Sequence, residues 1–454
     1  MEPQKQELNK IFFERKISAK LLEWKKRSDG RTCLLIEGAR RIGKTTVADE
    51  FGRLYYKSHI IVNFSTDGGV LKVFEDSQNS LGDLFDGLSV YYSTPLYKRD
   101  SLIVFDEIQC YPKAREQLKA LVQDHSFDYI ETGSLISLKQ NIASIVIPSE
   151  EESIQMGPMD FEEFLWATGD RTTIPFLRDH LLSLKPLNSL LTVINRKVRT
   201  YMVVGGMPQS VVQYVSSKSY LSSEGEKNQI LSLYRNDIAK FAGGYAARAM
   251  AVFDSVPAML SHHDKKIVFS SFGDIGNRSS QFQDTLFWLS ESRMMHLVYR
   301  LESFDPLAGF SLDYDKVKCY MSYTGLLLTL AVGASDHLSN SLFKSIALGK
   351  LGANEGMMAE NLACQMLSMN HEKVFFFEKL LPNKTKYEVD FVCSDGEKFN
   401  LYEIKSGRSN AAASLSYASS IYKKKINKCY ILGSFDVKVT DGIIFLPLAF
   451  ASIL

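Results

Sequence analysis

The sequence GARRIGKT at residues 38–45 follows the pattern G-x-x-x-x-G-K-[ST] of a phosphate-binding loop. The apolar run at residues 33–36 precedes this loop and predicts a buried strand, and residues 45–51 predict the first turns of a helix. A strand, a glycine turn and a helix N-terminus together direct backbone N–H groups towards one point, which creates an anion site. The stretch therefore predicts a nucleotide-binding unit; the alternative is a chance match in a glycine-containing loop.

The residues of this loop have distinct expected roles. Gly38 and Gly43 permit the tight turn and the close approach of the backbone to phosphate. Lys44 is expected to contact the β- and γ-phosphates, which makes it a catalytic residue too, and the Thr45 hydroxyl is expected to bind Mg²⁺. The predicted nucleotide-binding residues are Gly38, Ala39, Arg40, Arg41, Ile42, Gly43, Lys44, Thr45 and Thr46 of this stretch and Ser134 further along the chain.

A second motif lies at residues 101–108, where the apolar run SLIVF ends in two acids. Ligands of open parallel sheets gather at the carboxyl ends of the strands, so Asp106 is expected beside Thr45 as a metal ligand. Glu107 is then placed to polarise a water for attack on the γ-phosphate. The alternative is that both acids simply begin the next loop.

Further apolar runs at residues 60–64 and 127–134 predict two more core strands. A small polar residue at the end of the later strand suits a sensor of the γ-phosphate, with Thr132 or Ser134 as candidates. An ordinary turn around Gly133 is the alternative. Strands that alternate with helices predict a doubly wound P-loop αβα sandwich.

Composition agrees with an ordinary globular protein. The net charge of +1 neither favours nor excludes nucleic acid as a partner. The six cysteines form no C-x-x-C pair, so we expect reduced core thiols and no zinc site. The N-terminus lacks a signal peptide's apolar core, and no apolar run approaches the roughly 18 residues of a membrane helix. We therefore expect a cytoplasmic protein without membrane contact.

Taken in order, the motifs resemble the prokaryotic AAA+-like ATPases of the fourteenth AAA type. The resemblance covers nearly the whole chain and rests on the segments GARRIGKTT (38–46), FDEIQ (105–109), TGS (132–134), MGPMDFEEFL (156–165), GGMP (205–208) and YRNDI (234–238). One departure is Met159, where the family usually has leucine. The resemblance implies an ATPase with a second, poorly characterised C-terminal region. The base-reading pattern N-K-x-D of GTP-binding proteins does not follow the third strand, so ATP is the expected nucleotide.

Residues 151–250 carry apolar residues at helical spacing, and helices such as 201–215 are expected to form a lid on the nucleotide. Phosphoryl transfer needs a cation to stabilise the developing charge, and an arginine often supplies it. The candidates are Arg40, Arg41, Arg199 and Arg235; for each, a surface or structural role is the favoured alternative.

Residues 251–302 have the pattern of a winged helix, with helices at 256–260 and 279–289 and a strand at 296–299. The exposed positions of the second helix are polar rather than basic, whereas a helix that faces phosphates normally carries Lys or Arg. A structural winged helix that contacts a domain or a protein partner is therefore favoured over a DNA reader.

Residues 340–454 return to alternating helices and strands and contain EVD at 388–390 and EIK at 403–405. If these segments form an antiparallel hairpin through residues 394–397, one face carries Asp390, Glu403 and Lys405. Two carboxylates can bind Mg²⁺, and a lysine can orient water or stabilise charge at phosphorus. Asp390 and Glu403 are predicted metal ligands and Lys405 a predicted catalytic residue.

These residues resemble the motif of the D…[D/E]-x-K nuclease superfamily. Glu360, on a predicted helix of this chain, matches the additional acidic metal ligand that many members of the superfamily have. Val389 stands where the namesake motif has proline. The resemblance implies a restriction-endonuclease-like fold and Mg²⁺-dependent cleavage, although the superfamily includes binding-only domains. A salt-bridged hairpin without chemistry is the alternative.

Three regions are predicted: a P-loop ATPase domain at residues 1–195, a helical lid and winged-helix region at 196–335, and an α/β nuclease-like domain at 336–454. The expected cofactors are ATP and Mg²⁺, and DNA is a candidate partner. The leading hypothesis is an ATP-hydrolysing enzyme with a nuclease-like C-terminal domain. The alternative is an ATPase switch whose C-terminal domain only binds nucleic acid or protein. Basic residues available for phosphate contacts are Lys384, Lys386, Lys405, Arg408, Lys423, Lys424, Lys425 and Lys428.

Overall fold

The computed structural model describes residues 11–77, 80–134, 150–262, 264–276, 278–305, 310–333, 340–349, 355–405 and 412–454. Arg408 lies outside these residues. The chain divides into two compact units, Met1–Pro158 and Met159–Leu454. The three-region division predicted from the sequence stays a prediction. No helix in the described part of the chain is long and apolar enough to cross a membrane.

The first unit is built on a five-stranded parallel sheet with the order β2-β3-β4-β1-β5. Its strands are β1 (Cys33–Gly38), β2 (Ser58–Asn63), β3 (Ser101–Asp106), β4 (Asp128–Ser134) and β5 (Glu151–Gln155). Every residue of β3 is buried, as expected for a parallel strand covered on both faces. β4 lies between the strand that leads into the phosphate loop and the strand that ends in Asp106.

The helices of this unit alternate with the strands, so the predicted α/β class is confirmed. They are α1 (Ile17–Ser28), α2 (Lys44–Tyr55), α3 (Gly68–Asp76), α4 (Leu81–Tyr91) and α5 (Pro112–Asp124). Side chains cap two of them, since Asp67 accepts a hydrogen bond from the Val70 N–H and Ser80 accepts one from the Asp83 N–H. The α2 helix begins at Lys44, directly after the phosphate loop.

A run of helices opens the second unit. They are α6 (Phe161–Ala167), α7 (Thr173–Ser183), α8 (Leu190–Val204), α9 (Pro208–Ser217), α10 (Tyr220–Phe241) and α11 (Ala246–Ser261). The expected helical stretch at 201–215 is therefore two helices. Gly205 ends the first with φ +78°, and Pro208 begins the second at its first position, where its missing N–H costs nothing.

An eight-stranded sheet with the order β12-β13-β11-β10-β9-β8-β6-β7 fills the rest of the second unit. The strands are β6 (Met295–Leu301), β7 (Leu312–Met321), β8 (Val374–Leu380), β9 (Lys386–Asp395), β10 (Lys398–Lys405), β11 (Ile426–Gly433), β12 (Lys438–Thr440) and β13 (Ile443–Pro447). The helices among them are α12 (Gln283–Glu291), α13 (Thr324–Val332), α14 (Asn340–Ala347), α15 (Glu355–Asn370) and α16 (Ala413–Ile421).

The strand expected in the winged-helix segment exists as β6, but it belongs to this large sheet. It pairs with β7 on one side and runs parallel to β8 on the other, where Tyr299 lies opposite Phe375. The helix before it begins at Gln283, after a short 3-10 turn at Ser279–Gln281. Strands from the middle of the sequence thus extend the C-terminal sheet.

The hairpin predicted around residues 394–397 is present in β9 and β10. Lys398 pairs with Asp395 and Tyr402 with Phe391 in antiparallel register. Continuing that register by one residue places Asp390 opposite Glu403. On its other side β10 runs parallel to β11, and Lys405, the last residue of β10, lies opposite Gly433.

Close backbone contact leaves no room for a side chain at Gly325 of the second unit. A Cβ on Gly325 would lie 2.7 Å from the Cα of Gly205, whereas a Cβ on Gly225 of α10 would meet nothing within 4 Å. Gly325→Ala should therefore lower the free energy of unfolding by about 1–3 kcal/mol through overpacking. The matched change Gly225→Ala should raise it by about 1 kcal/mol, because alanine favours helix. Calorimetric melting of both variants tests this; equal shifts would contradict it.

A buried carboxyl in the first unit gives a pH-dependent prediction. Burial and the neighbouring Glu151 raise the pKa of Glu131 to about 8, although Arg115 opposes the shift. The folded state therefore keeps a proton that the unfolded chain loses at lower pH, so this group's contribution to stability falls as the pH rises from about 5 to 8. Glu131→Gln should gain melting temperature relative to wild type across that window. The exposed control Glu116→Gln should show no such trend; parallel profiles for wild type and Glu131→Gln would refute the explanation.

Candidate functional site

The side chain of Lys44 folds back over the backbone of the phosphate loop. The Lys44 Nζ donates hydrogen bonds to the carbonyls of Gly38 at 3.0 Å and Ala39 at 2.8 Å. Left-handed backbone at Arg41 and Gly43 turns the loop into α2. A Cβ on Gly38 would lie 2.3 Å from the Met156 carbonyl oxygen, so only glycine fits there. The loop therefore has the close backbone approach expected of its glycines, and the phosphate contacts expected of Lys44 stay a prediction.

Arg15 supports the loop from outside the motif. Its Nη1 donates to the Ile42 carbonyl at 2.9 Å, and its Nη2 donates to the Gly157 carbonyl at 2.7 Å. The guanidinium is buried and joins the loop to the end of the first unit. Sequence reasoning missed this residue, because an isolated arginine far from the motif carries no local signal.

Asp106 is the point at which three strands meet. Its Oδ1 accepts hydrogen bonds from the Thr45 hydroxyl at 2.6 Å and from the Thr132 hydroxyl, and its Oδ2 accepts one from the Asn63 amide at 2.7 Å. The strand order explains this, since β4 lies between β1 and β3 and β2 flanks β3. The predicted Mg²⁺ ligands Thr45 and Asp106 are therefore adjacent, and their oxygen donors suit that ion.

Asn63 was not predicted, although a polar residue at the end of an apolar strand is the signal that identified Asp106. Of the two sensor candidates, Thr132 contacts Asp106 directly. Ser134 is the last residue of β4 and lies opposite Gly38 in the sheet register.

Glu107 has a left-handed backbone with φ +54°, which is uncommon for a residue with a Cβ and concentrates at functional sites. Its carboxylate accepts a hydrogen bond from the Gln109 amide. Burial lowers the pKa of Lys44 to about 8, against the opposing effects of Glu107 and Asp106. The Lys44 ammonium and the carboxylates of Asp106 and Glu107 thus lie close together at one end of the loop.

The remaining predicted residues of this site fall on the loop and the first turn of α2, namely Ala39, Arg40, Arg41, Ile42 and Thr46. In the second unit, Arg199 pairs with Glu355 at 3.3 Å and Arg235 pairs with Asp254 at 2.8 Å. These ion pairs are what the structural alternative for both arginines expects. Assignment of an arginine to phosphoryl transfer stays a prediction.

A second candidate site is an open cavity of about 610 Å³ in the second unit. Asp390, Glu403 and Lys405 line it together, as the predicted hairpin requires. The Lys405 Nζ donates to Glu403 Oε1 at 2.7 Å, and the Ile404 N–H donates to Asp390 Oδ2 at 2.8 Å. Glu403 Oε2 is buried and has no hydrogen-bond partner among the described residues.

The acids of this cavity are crowded. Burial, with the nearby Glu360 and Glu403, raises the pKa of Asp390 to about 7, and burial raises that of Glu403. Carboxylates in this situation are stabilised by a cation. Asp390 and Glu403 therefore fit Mg²⁺, since in the described part of the chain Glu403 Oε2 has no hydrogen-bond partner.

Glu360 differs from these two acids. It is 1% exposed on α15, and its Oε1 accepts a hydrogen bond from the Tyr320 hydroxyl at 2.6 Å while its Oε2 pairs with Lys265. The Lys318 ammonium lies 3.6 Å from Oε1. Both oxygens are thus engaged by protein groups, which favours a structural role over the predicted metal ligation.

Another acidic group, Asp264, Glu378 and Glu388, brings three carboxylate oxygens within 4.8 Å of one another. Lysines are already inserted among them. The Lys316 ammonium lies 2.6 Å from Glu378, and the Lys386 ammonium lies 2.9 Å from Glu388. This group is an ion-pair network at the edge of the cavity.

Comparison with protein-family models finds three matches. Residues 30–165 match a model described as an AAA domain. Residues 195–337 match a domain of unknown function, DUF8612, and residues 355–450 match another, DUF4143. A search of curated proteins finds no significant match.

Solved structures give only distant similarities. The Holliday junction branch migration motor RuvB of Thermotoga maritima is 10% identical, with a TM-score of 0.30 over 63% of this chain and 90% of that one. A Drosophila ORC chain, from a complex bound to DNA, is 12% identical, with a TM-score of 0.29 over 71% and 96%. The Aeropyrum pernix ORC2 protein is 12% identical, with a TM-score of 0.27 over 74% and 93%.

The domain match and the loop geometry together indicate the function of this region. The matched range 30–165 contains the phosphate loop, Asp106, Glu107 and Thr132. Both observations support ATP binding and hydrolysis. Residues 30–165 therefore form an AAA-type P-loop ATPase domain.

Proposed function

We propose that this protein is a Mg²⁺-dependent ATPase whose C-terminal α/β region is a nuclease-like domain that acts on nucleic acid. The observation that carries the second half is the convergence of Asp390, Glu403 and Lys405 on one cavity.

In the ATPase site, Lys44 is positioned to exchange its backbone carbonyl contacts for the β- and γ-phosphates of ATP. Thr45 and Asp106 would hold Mg²⁺, which, when bound, neutralises phosphate charge. Glu107 lies next in the chain and would accept a proton from the attacking water. Thr132 links the end of β4 to Asp106, so it can report on the occupancy of this site.

In the nuclease-like cavity, Asp390 and Glu403 would hold Mg²⁺, which, when bound, activates water and neutralises charge on a phosphodiester. Lys405 lies beside Glu403 and can stabilise negative charge at phosphorus. His262, Lys265 and Lys386 line the same cavity. Lys265 and Lys386 are held there in ion pairs with Glu360 and Glu388, and the His262 imidazole suits a hydrogen bond to a phosphate backbone.

The second candidate function is an ATPase switch whose C-terminal domain binds without cleavage. The observation that favours it is the engagement of Glu360 by Tyr320 and Lys265, since this removes one predicted metal ligand. A protein partner at α12 would fit this function, because Phe287 on that helix is 61% exposed. Mutational separation of ATP hydrolysis from DNA cleavage discriminates between the two.

Two substitutions test the ATPase half. Lys44→Ala should weaken ATP binding by about tenfold or more, because it removes charged hydrogen bonds to phosphate. Glu107→Gln should retain ATP binding and slow its hydrolysis by about 10²–10⁴-fold. Fluorescent-nucleotide binding and phosphate release measure the two effects.

The matched control Glu50→Gln changes a carboxylate on α2 that pairs with Arg53 at the surface, and it should leave both quantities unchanged. Unaltered turnover in Glu107→Gln would exclude Glu107 as the group that activates water.

Cleavage of supercoiled plasmid and of single-stranded DNA with Mg²⁺ and ATP tests the nuclease half. Wild type should nick the substrate, and Asp390→Ala and Lys405→Ala should abolish nicking while ATP hydrolysis continues. Lys398→Ala, an exposed change on the same strand β10, should cleave like wild type. Loss of cleavage in Lys44→Ala would place it under ATP control.

Absence of cleavage in wild type with Mg²⁺ or Mn²⁺, while ATP is hydrolysed, would favour the switch. Cleavage that survives both Asp390→Ala and Lys405→Ala would come from another site or a contaminant.

A further inference from the structure

Lys318 of β7 is a fully buried lysine at the centre of the acids beside the nuclease-like cavity. Its ammonium lies 2.7 Å from Glu388 Oε1, 3.6 Å from Glu360 Oε1 and 3.7 Å from Asp390 Oδ1. The side chain is 0% exposed, so these carboxylates, rather than water, must compensate its charge. Lys318 is part of neither the hairpin nor the matched C-terminal range.

We propose that Lys318 acts as the resident cation of this acid cluster, so that the cavity binds a single divalent ion, at Asp390 and Glu403. This inference rests on the proposed nuclease-like function. Two-metal hydrolytic sites hold their ions about 3.5–4 Å apart and need acids to share between them. The ammonium of Lys318 lies 2.7–3.7 Å from one oxygen each of Glu388, Glu360 and Asp390, so it already fills the space among these acids that a second ion would need.

The acids that a second ion would require are already paired. Glu360 is bonded by Lys265 and Tyr320, and Glu388 lies 2.9 Å from Lys386 as well as 2.7 Å from Lys318. A divalent ion there would have to displace lysines from their carboxylate partners, which is costly in a water-poor site.

The acids assigned to the single ion have free capacity. Within the described part of the chain, Glu403 Oε2 has no hydrogen-bond partner, and Asp390 Oδ1 is separated from Lys318 by 3.7 Å, beyond hydrogen-bond distance. Both residues line the open cavity, so an ion and a phosphate can reach them. Lys318 is thus a buried positioning residue that does not line the cavity but limits the number of ions bound there to one.

The number of Mn²⁺ ions that the full chain binds without nucleotide tests this inference. Electron paramagnetic resonance measures it, because the signal of free Mn²⁺ decreases as the ion binds. Wild type should bind one ion that is lost in Asp390→Asn; ions that persist in Asp390→Asn belong elsewhere and are subtracted. Lys318→Met should bind a second ion, or bind the first at least about tenfold more tightly, because a positive charge close to the acids is removed.

The matched control is Lys227→Met. Lys227 is 1% exposed and pairs with Glu224 in the helical part of the same unit, so its loss should leave one Asp390-dependent ion. Circular dichroism and thermal melting establish that each variant is folded. Lys318→Arg keeps the charge and should behave as wild type.

Two Asp390-dependent ions in wild type would overturn the inference, and this measurement stands even if Lys318→Met fails to fold. Unchanged stoichiometry and affinity in a folded Lys318→Met would overturn it as well. Complete absence of Asp390-dependent binding in wild type would instead refute the proposed nuclease-like function on which it rests.

Discussion

A carboxylate buried away from water must be met by cations or hydrogen-bond donors, because its ionised form loses its solvation in the protein interior. Asp106 satisfies this requirement with three neutral donors, from Thr45, Asn63 and Thr132. The acids of the second unit satisfy it with lysines, above all Lys318 and Lys265. In both sites the interacting groups lie on different strands. The order and register of those strands therefore decide whether the groups meet.

The two solutions have different consequences for chemistry. Neutral donors do not pair a carboxylate with a cation, so the oxygens of Asp106 can still bind a metal ion, as a nucleotide site requires. Lysines form ion pairs with Glu360 and Glu388 and so neutralise their charge. Among the acids described around the cavity, Asp390 and Glu403 therefore have oxygen atoms available to bind an ion. The same hairpin that supplies these two acids also supplies Lys405, which places an ion and a cationic side chain in one cavity.

Much of the first unit could be predicted, because its signals are local. An apolar run that ends in an acid or in the phosphate loop marks β1 and β3, and the loop residues are consecutive. β5 was missed, since Glu151–Gln155 has one apolar residue and lies at the sheet edge. The β9–β10 hairpin was predicted from period-two alternation, and its register followed from the turn.

By itself, the sequence determined the phosphate loop, the acids Asp106 and Glu107, and the pairing of Asp390 with Glu403, since each depends on residues close together in the chain. Only the tertiary structure decided that β6 and β7 extend the C-terminal sheet and that Lys318 lies among Glu360, Glu388 and Asp390. The lone lysine in the apolar segment VKCYM at residues 317–321 was a signal of burial. Its partners are 42 to 72 residues away along the chain, and no local pattern specifies a contact that sheet assembly creates.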